Sequence, residues 1–268
     1  MTDADAHIRS GLAVVTGAGS GLGRALAIAL SARGMRVAGI GRRTDALAET
    51  GALIGAGRFI ACPLDIADAD AVAECFAALK RDHGPLTILI NNAAIYPKAD
   101  LLACSPAEFM AAVNINLGGT VACTLAALEQ MADTGIGRIL NVSTFADIAP
   151  LPGSSAYSVS KGAARIFSRA LVADIGLRLP GIVINDWMPG MLHTTMGIAD
   201  GLDPAIAAAW GAELALWHDP ALSGSIFEMD REILLPRSLK RRLLDRALLR
   251  RAPAPRRLGV ASGGDAKA

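Results

Sequence analysis

Short runs of uninterrupted aliphatic residues alternate along the chain with longer segments whose apolar positions recur every three or four residues. The short runs read as buried strands over residues 12–16, 35–40, 59–64, 86–90, 137–142 and 182–184, with a last one inside 223–230. The longer segments read as helices over 22–33, 68–81, 106–132 and 155–177. Punctuation agrees with these ends: Gly34 suits the left-handed turn that closes a helix, Gly84-Pro85 breaks the second, and Pro106 follows Ser105 as a first helical residue follows its cap. Strands that are apolar throughout and separated by helices indicate a parallel sheet covered on both faces. The expected fold is α/β: a single-domain, Rossmann-type doubly wound parallel sheet of about seven strands with helices on both faces. No repeat or linker interrupts the pattern before residue 230, which places one domain at 1–230 and an extension at 231–268.

Composition narrows the class without changing that picture. The chain has 268 residues, 52% of them hydrophobic, and a net charge of +1, so it has the length and apolarity for one large core and is no disordered polypeptide. No uncharged apolar run reaches the ~18 residues of a membrane span, and the opening MTDADAHIRS is polar and acidic rather than a secretion signal. Cys62, Cys75, Cys104 and Cys123 are far apart and form no CxxC, which reads as buried thiols in a reducing compartment, and a cytoplasmic protein is expected. The four histidines have no metal-ligand spacing, so no metal site is expected. Charge is uneven: residues 231–268 hold eleven Lys and Arg against three acids, and the remainder is net acidic. Such an end is either a solvated helix, a subunit contact or a membrane-surface contact, and no nucleic-acid partner is expected.

Two clusters carry chemistry. The first strand runs straight into Thr16-Gly17-Ala18-Gly19-Ser20-Gly21-Leu22-Gly23 and then a helix. Glycines in such a turn let backbone N–H groups approach a pyrophosphate, and the helix N-terminus adds partial positive charge. A nucleotide site is therefore expected around Gly17, Ser20, Gly21, Leu22 and Gly23. The chain has two tyrosines and five lysines, and one of each falls in Tyr157-Ser158-Val159-Ser160-Lys161. Residues four apart share a helical face, and an ammonium beside a phenol favours the phenolate. The TGxxxGxG spacing and the Tyr-x-x-x-Lys pair together resemble the short-chain dehydrogenase/reductase family, strongly over residues 10–195 and weakly over 220–230.

That resemblance implies an oxidoreductase that moves hydride between a nicotinamide cofactor and the carbonyl or secondary alcohol of a small molecule. It makes Tyr157 the general acid/base, and Lys161 the group that lowers the phenol pKa and holds the nicotinamide ribose. The family's substrate-positioning serine lies thirteen residues before the tyrosine, where this chain has Thr144; its methyl restricts the rotamer, and Ser143 is expected on the sheet's other side. Asn116, in Asn116-Leu117-Gly118, matches the asparagine of the proton relay. Asp65-Ile66 matches the adenine contact, Asn91 and Ala93 fall in a run resembling NNAG, and Pro189-Gly190 with Thr194 matches the PGxxxT beside the carboxamide. Gly41 stands where an acid would repel a 2′-phosphate, and Arg42-Arg43 follow, so NADP(H) is favoured over NAD(H), with Arg42 as the phosphate contact. Ser20 weighs against this, because some NADP-preferring relatives have a base there. By the same resemblance helices 106–132 and 155–177 pair in a homodimer or homotetramer.

The chain also departs from the family pattern. Asp147 replaces a usual glycine, and Asp186-Trp187-Met188 replaces small residues, with Trp187 and Met188 either lining a substrate pocket or packing. Residues 195–222 take the place of the variable substrate loop, and Arg231-Glu232 replaces a closing Gly-Gly. Beyond them 236–246 reads as an imperfect amphipathic helix, and 252–268, rich in Pro, Gly and Ala, as disordered. Thr144 and the missing Gly-Gly support a second reading: an NADP-binding scaffold or redox sensor with impaired turnover, whose basic end engages a partner.

Overall fold

The computed structural model describes residues 2–234 and 254–259. Eight strands form one sheet: β1 Leu12–Thr16, β2 Arg36–Gly41, β3 Phe59–Pro63, β4 Leu86–Asn91, β5 Gly137–Val142, β6 Ile182–Met188, β7 Ile226–Glu228 and β8 Arg231–Ile233. Their order is β3-β2-β1-β4-β5-β6-β7-β8, parallel as far as β7. Strand β8 turns back antiparallel on β7. It is the addition to the expected seven, and it is made of the Arg231-Glu232 pair that replaces Gly-Gly. Strand order reverses between β1 and β4, which is where a sheet of this kind opens a crevice at its carboxyl edge.

Among the described residues eight α-helices cover the sheet: α1 Asp3–Ser10, α2 Gly21–Ala32, α3 Thr44–Ile54, α4 Ala69–His83, α5 Pro106–Val113, α6 Gly119–Met131, α7 Ser155–Ile175 and α8 Pro204–Leu216. One core cluster lies under α2, α3 and α8, around Leu26, Leu30, Leu47 and Trp187. The other lies under α4, α6 and α7, around Phe76, Cys123, Met131 and Leu171. The expected cap Ser105 is in place, forming a capping box with Glu108 at α5, and Gly84 ends α4 at a φ of 92°; at the other end of α4, Asp68 accepts the Ala71 N–H. The apolar helical stretch 106–131 is long enough to cross a membrane by length and composition, but here it is a core helix, with Cys123, Ala127 and Met131 buried against the sheet.

Helix α8 corrects the expectation that 195–222 is a loop. Its Gly211 lies so close to α2 and β6 that a Cβ there would come within 2.7 Å of Leu26 Cδ2 and of the Trp187 ring. Arg138 of β5 is fully buried and donates to the Leu214 carbonyl at 2.6 Å and the Val183 carbonyl at 3.2 Å, so it satisfies one of the end carbonyls that α8 leaves open. Trp187 is therefore a packing residue, whose indole N–H donates to the Met229 carbonyl at 3.0 Å, whereas Met188 lines the cavity described below.

Residues 254–259, expected to be disordered, lie against the fold. The Glu232 N–H donates to the Arg256 carbonyl, the Leu258 N–H to the Asp230 carbonyl, and the Gly259 N–H to Glu213 of α8, while the Leu258 side chain is buried. The helix expected over 236–246 lies outside the described residues.

Candidate functional site

A cavity of about 830 Å³ opens at the carboxyl ends of the strands. The glycine turn forms its floor. Thr16 Oγ1 accepts the N–H groups of Asn92 and Ala93, both at 2.9 Å, and Asn92 Nδ2 donates to the Thr16 carbonyl at 2.8 Å, so the ends of β1 and β4 are fastened together at the switch point. Gly17 and Gly21 have φ of 71° and 50°. A Cβ on Gly23 would sit 2.1 Å from the Gly17 carbonyl oxygen, and one on Gly21 3.2 Å from Thr194 Cγ2. Side chains are excluded here by close backbone approach, at the first turn of α2, whose cap residue Ser20 makes no side-chain capping bond. Such a cradle fits the pyrophosphate of a dinucleotide.

At the end of β2 the cavity wall is Gly41, Arg42 and Arg43, with no acid at the position that would reject a 2′-phosphate. Asp65 faces Arg42 at 3.8 Å, both side chains well exposed, and its other oxygen accepts the Ala67 N–H. Ile66, Ala93, Pro189, Gly190 and Thr194 also line the cavity, together with Ser20 and Leu22. Asn91 does not belong to it. Side chains alternate along a strand, and the Asn91 side chain goes into the interior, donating to Thr124 Oγ1 and Asn141 Oδ1, while Asn92 lines the cavity instead.

Thr144, Tyr157 and Lys161 line the middle of the cavity. The lysine is buried and donates to the Val142 carbonyl at 2.7 Å, which pins α7 to the end of β5. Burial pushes its ammonium down from the ordinary 10.5 to about 8, against the opposing attraction of Asp186. Burial also raises the Tyr157 phenol above its ordinary 10.0, with the hydrogen bond from Thr144 opposing and nearby Tyr96 reinforcing the rise. Lys161 is not among the groups that set this rise, and its ammonium is bonded to the Val142 carbonyl. The rings of Tyr96 and Tyr157 lie 4.5 Å apart at centroids. Tyr96 was missed because it lies in the irregular stretch after β4; its one signal was being the chain's other tyrosine.

Asn116 lies at the heart of the site's framework rather than in its wall. A π-helical turn, Asn114–Gly118, interrupts the expected continuous helix and buries its side chain. Asn116 Oδ1 accepts the Ile95 N–H at 2.8 Å, and Nδ2 donates to the Ile95 carbonyl and Ser160 Oγ, both at 2.9 Å. It thus ties the segment carrying Tyr96 to the residue next to Lys161. Ser143 also departs from expectation: β5 ends at Val142, alternation ends with it, and the Ser143 hydroxyl lies buried and unpartnered beside the cavity. Asp147 takes part in a half-buried pair with Arg165 at 2.7 Å that fastens the loop after β5 to α7.

Behind Lys161 a row of buried polar groups crosses the sheet. Asn91 and Asn141 pair in register, as do Asn141 and Asp186; Asn141 Nδ2 donates to Ser168 Oγ, which donates to Asp186 Oδ1 at 2.8 Å. Burial pushes the Asp186 carboxyl up to about 6, against the hydrogen bond from Ser168 and the attraction of Arg165, Lys161 and Arg169.

Fold and cradle define a dinucleotide-binding α/β protein. The profile of the short chain dehydrogenase family matches residues 11–203, and the chain belongs to that family of oxidoreductases acting on alcohol and carbonyl groups. Among its relatives are the short-chain reductase protein NovJ of Streptomyces niveus, 36% identical over 189 residues that make up 69% of this chain and 70% of that one. The probable oxidoreductase EphD of Mycobacterium tuberculosis is 35% identical over 193 residues, 71% of this chain, and the match spans only 32% of that longer protein. A crystal structure of a short chain dehydrogenase from Bacillus anthracis superposes with a TM-score of 0.76 over 83% of this chain and 96% of that one, at 24% identity, a likeness of fold.

Proposed function

We propose that this protein transfers hydride between NADP(H) and a carbonyl or secondary alcohol of a small molecule, with Tyr157 giving the proton in reduction and taking it in oxidation. The observation that carries this reading is the convergence of Thr144, Tyr157 and Lys161 on one cavity whose other end is the glycine cradle. The reduced nicotinamide, when bound, supplies hydride to the carbonyl carbon. Gly17, Ser20, Gly21, Leu22 and Gly23 hold the pyrophosphate, Arg42 the 2′-phosphate, and Asp65, Ile66, Ala93, Pro189, Gly190 and Thr194 flank the two ring systems. Tyr157 releases its phenolic proton to the substrate oxygen, and the Thr144 hydroxyl bonds the same oxygen and orients the phenol. Lys161, held beside Val142, provides the positive charge that draws the phenol toward phenolate once the site is filled. Asn116 is a positioning residue, acting through Ile95 and Ser160.

Two further parts of the reading concern the whole protein. Exposed Met110, Leu125, Val159 and Ile166 on α5, α6 and α7 favour pairing of those helices in a homodimer or homotetramer. Buried free thiols at Cys62 and Cys123 favour a reducing compartment such as the cytoplasm. The scaffold alternative has less to stand on, since Thr144 keeps a hydroxyl that lines the cavity with Tyr157, and Arg231-Glu232 form β8 and do not line it.

Replacing Tyr157→Phe tests the mechanism. Turnover is expected to fall by roughly 10²–10⁴-fold, with NADPH affinity unchanged in a fluorescence titration. A variant that turns over like the parent overturns the role of Tyr157.

A further inference from the structure

The two ends of the cavity differ in what lines them. Of the charged lining residues among the described residues, Arg42, Arg43 and Asp65 follow β2 and β3, Lys161 is buried, and Lys98 follows β4, so none comes from the loop after β5 or from residues 188–198. The lining contributed by the loop after β5 and from the end of β6 onward is mostly apolar: Phe145 and Leu151 on the first, Met188, Met191, Met196 and Ile198 on the second, with Thr194 and Thr195 among them. Leu151 is 65% and Met191 73% exposed, so neither contributes much to the core. Large apolar side chains gathered at one opening and left in water mark a surface that is covered in use.

We infer that the substrate carries its carbonyl or hydroxyl on an apolar body, an alkyl chain or hydrocarbon ring, seated between the loop after β5 and residues 191–198. This rests on the oxidoreductase reading and deepens it. The reacting oxygen meets Thr144 and Tyr157, and the remainder of the molecule meets carbon. A polyol fits poorly, because each hydroxyl carried into such a wall loses its bonds to water and finds few partners. Methionines at three of the six apolar positions suit this task, since an unbranched thioether adapts to irregular apolar shapes.

The test is a binding series on the whole protein saturated with NADP⁺, which cannot reduce a ketone. Calorimetric Kd values are measured for butan-2-one, hexan-2-one, octan-2-one and decan-2-one, with D-fructose as the polyol of matched carbon number to hexan-2-one. Affinity is expected to rise by roughly fourfold per added methylene while the wall is being covered, and fructose to bind far more weakly than hexan-2-one. Leu151→Asp and Met191→Asp should flatten that dependence on chain length. Leu177→Asp, a control at an exposed leucine that does not line the cavity, should leave it as in the parent. A flat series, or fructose binding as tightly as hexan-2-one, overturns the inference while leaving the oxidoreductase reading in place. Failure to take up NADP⁺ in the same calorimeter overturns both.

Discussion

One cavity holds two different solutions to ligand binding. Its cradle end is made by backbone: glycines whose positive φ and close packing leave no room for a Cβ, fastened by Thr16 and Asn92. Its outer end is made largely by side chains on two irregular segments, after β5 and after β6, that stay exposed among the described residues. Backbone recognition tolerates almost no substitution and reads a common chemical group, the pyrophosphate. A side-chain wall can be rewritten one residue at a time without disturbing the sheet. On the proposed reading, this contrast lets a common cofactor site and a particular substrate preference coexist in one fold.

The sharpest way to break this contrast is at Gly23. Its Cβ would lie 2.1 Å from the Gly17 carbonyl and 2.6 Å from Asn92 Nδ2, neither of which can move without opening the turn. Gly23→Ala should cost about 1–3 kcal/mol of stability and reduce NADPH affinity by well over roughly tenfold; a calorimetric titration that finds parent affinity would show that backbone approach does not define this end. At the rim of the cradle the effect should be smaller and selective. Arg42→Ala should weaken NADPH by about 10–100-fold, as expected for a charge-assisted phosphate bond, and leave NADH unchanged. Equal weakening of both cofactors would remove Arg42 from phosphate recognition.

A third effect, confined to high pH, lies in the polar row behind the site. The folded Asp186 carboxyl titrates near 6 against an ordinary 3.8, so its value is raised. A raised group contributes stability that is present below about pH 4 and lost as pH rises through about 6. Asp186→Asn, which can keep the bond from Ser168, should therefore match the parent at pH 4 and exceed it above pH 6, by at most about 3 kcal/mol. Chemical denaturation at the two pH values checks this. Loss of the Asp186 charge also removes an attraction that keeps Lys161 protonated, so the alkaline fall in reductase activity should move to lower pH than in the parent. Stability and pH profile identical to the parent's at both pH values would mean that Asp186 is no charged neighbour of Lys161.

The cradle end was legible in the sequence because its chemistry is local. A strand, a glycine turn and a helix follow one another within a dozen residues, and Tyr157 and Lys161 share one helical turn. What the sequence concealed was contact between distant segments. Helix α8 is apolar on nearly every side, so it has no amphipathic period and reads as a loop. Helix α3 carries Gly51 in its interior, and α1 is eight mostly polar residues that bury only Ile8, so both give a weak signal in the sequence. Strand β8 is charged at its first two positions and exists by pairing with β7 and residue 257. Asn91 and Asn92 are indistinguishable in a string of two asparagines; the pleat decides which reaches the cavity. Asn116 matched a motif, yet its partners, Ile95 and Ser160, lie 21 and 44 residues away, and the π turn that delivers it there has no pattern of its own.

The account stands or falls on the cradle, and the most direct measurement is the affinity of the whole, unaltered protein for NADPH and for NADH by fluorescence titration at neutral pH. The structure's arginine-lined rim and the absence of an acid at residue 41 predict saturable NADPH binding, tighter than NADH by about tenfold or more. Binding of neither cofactor, or a preference for NADH, would contradict it.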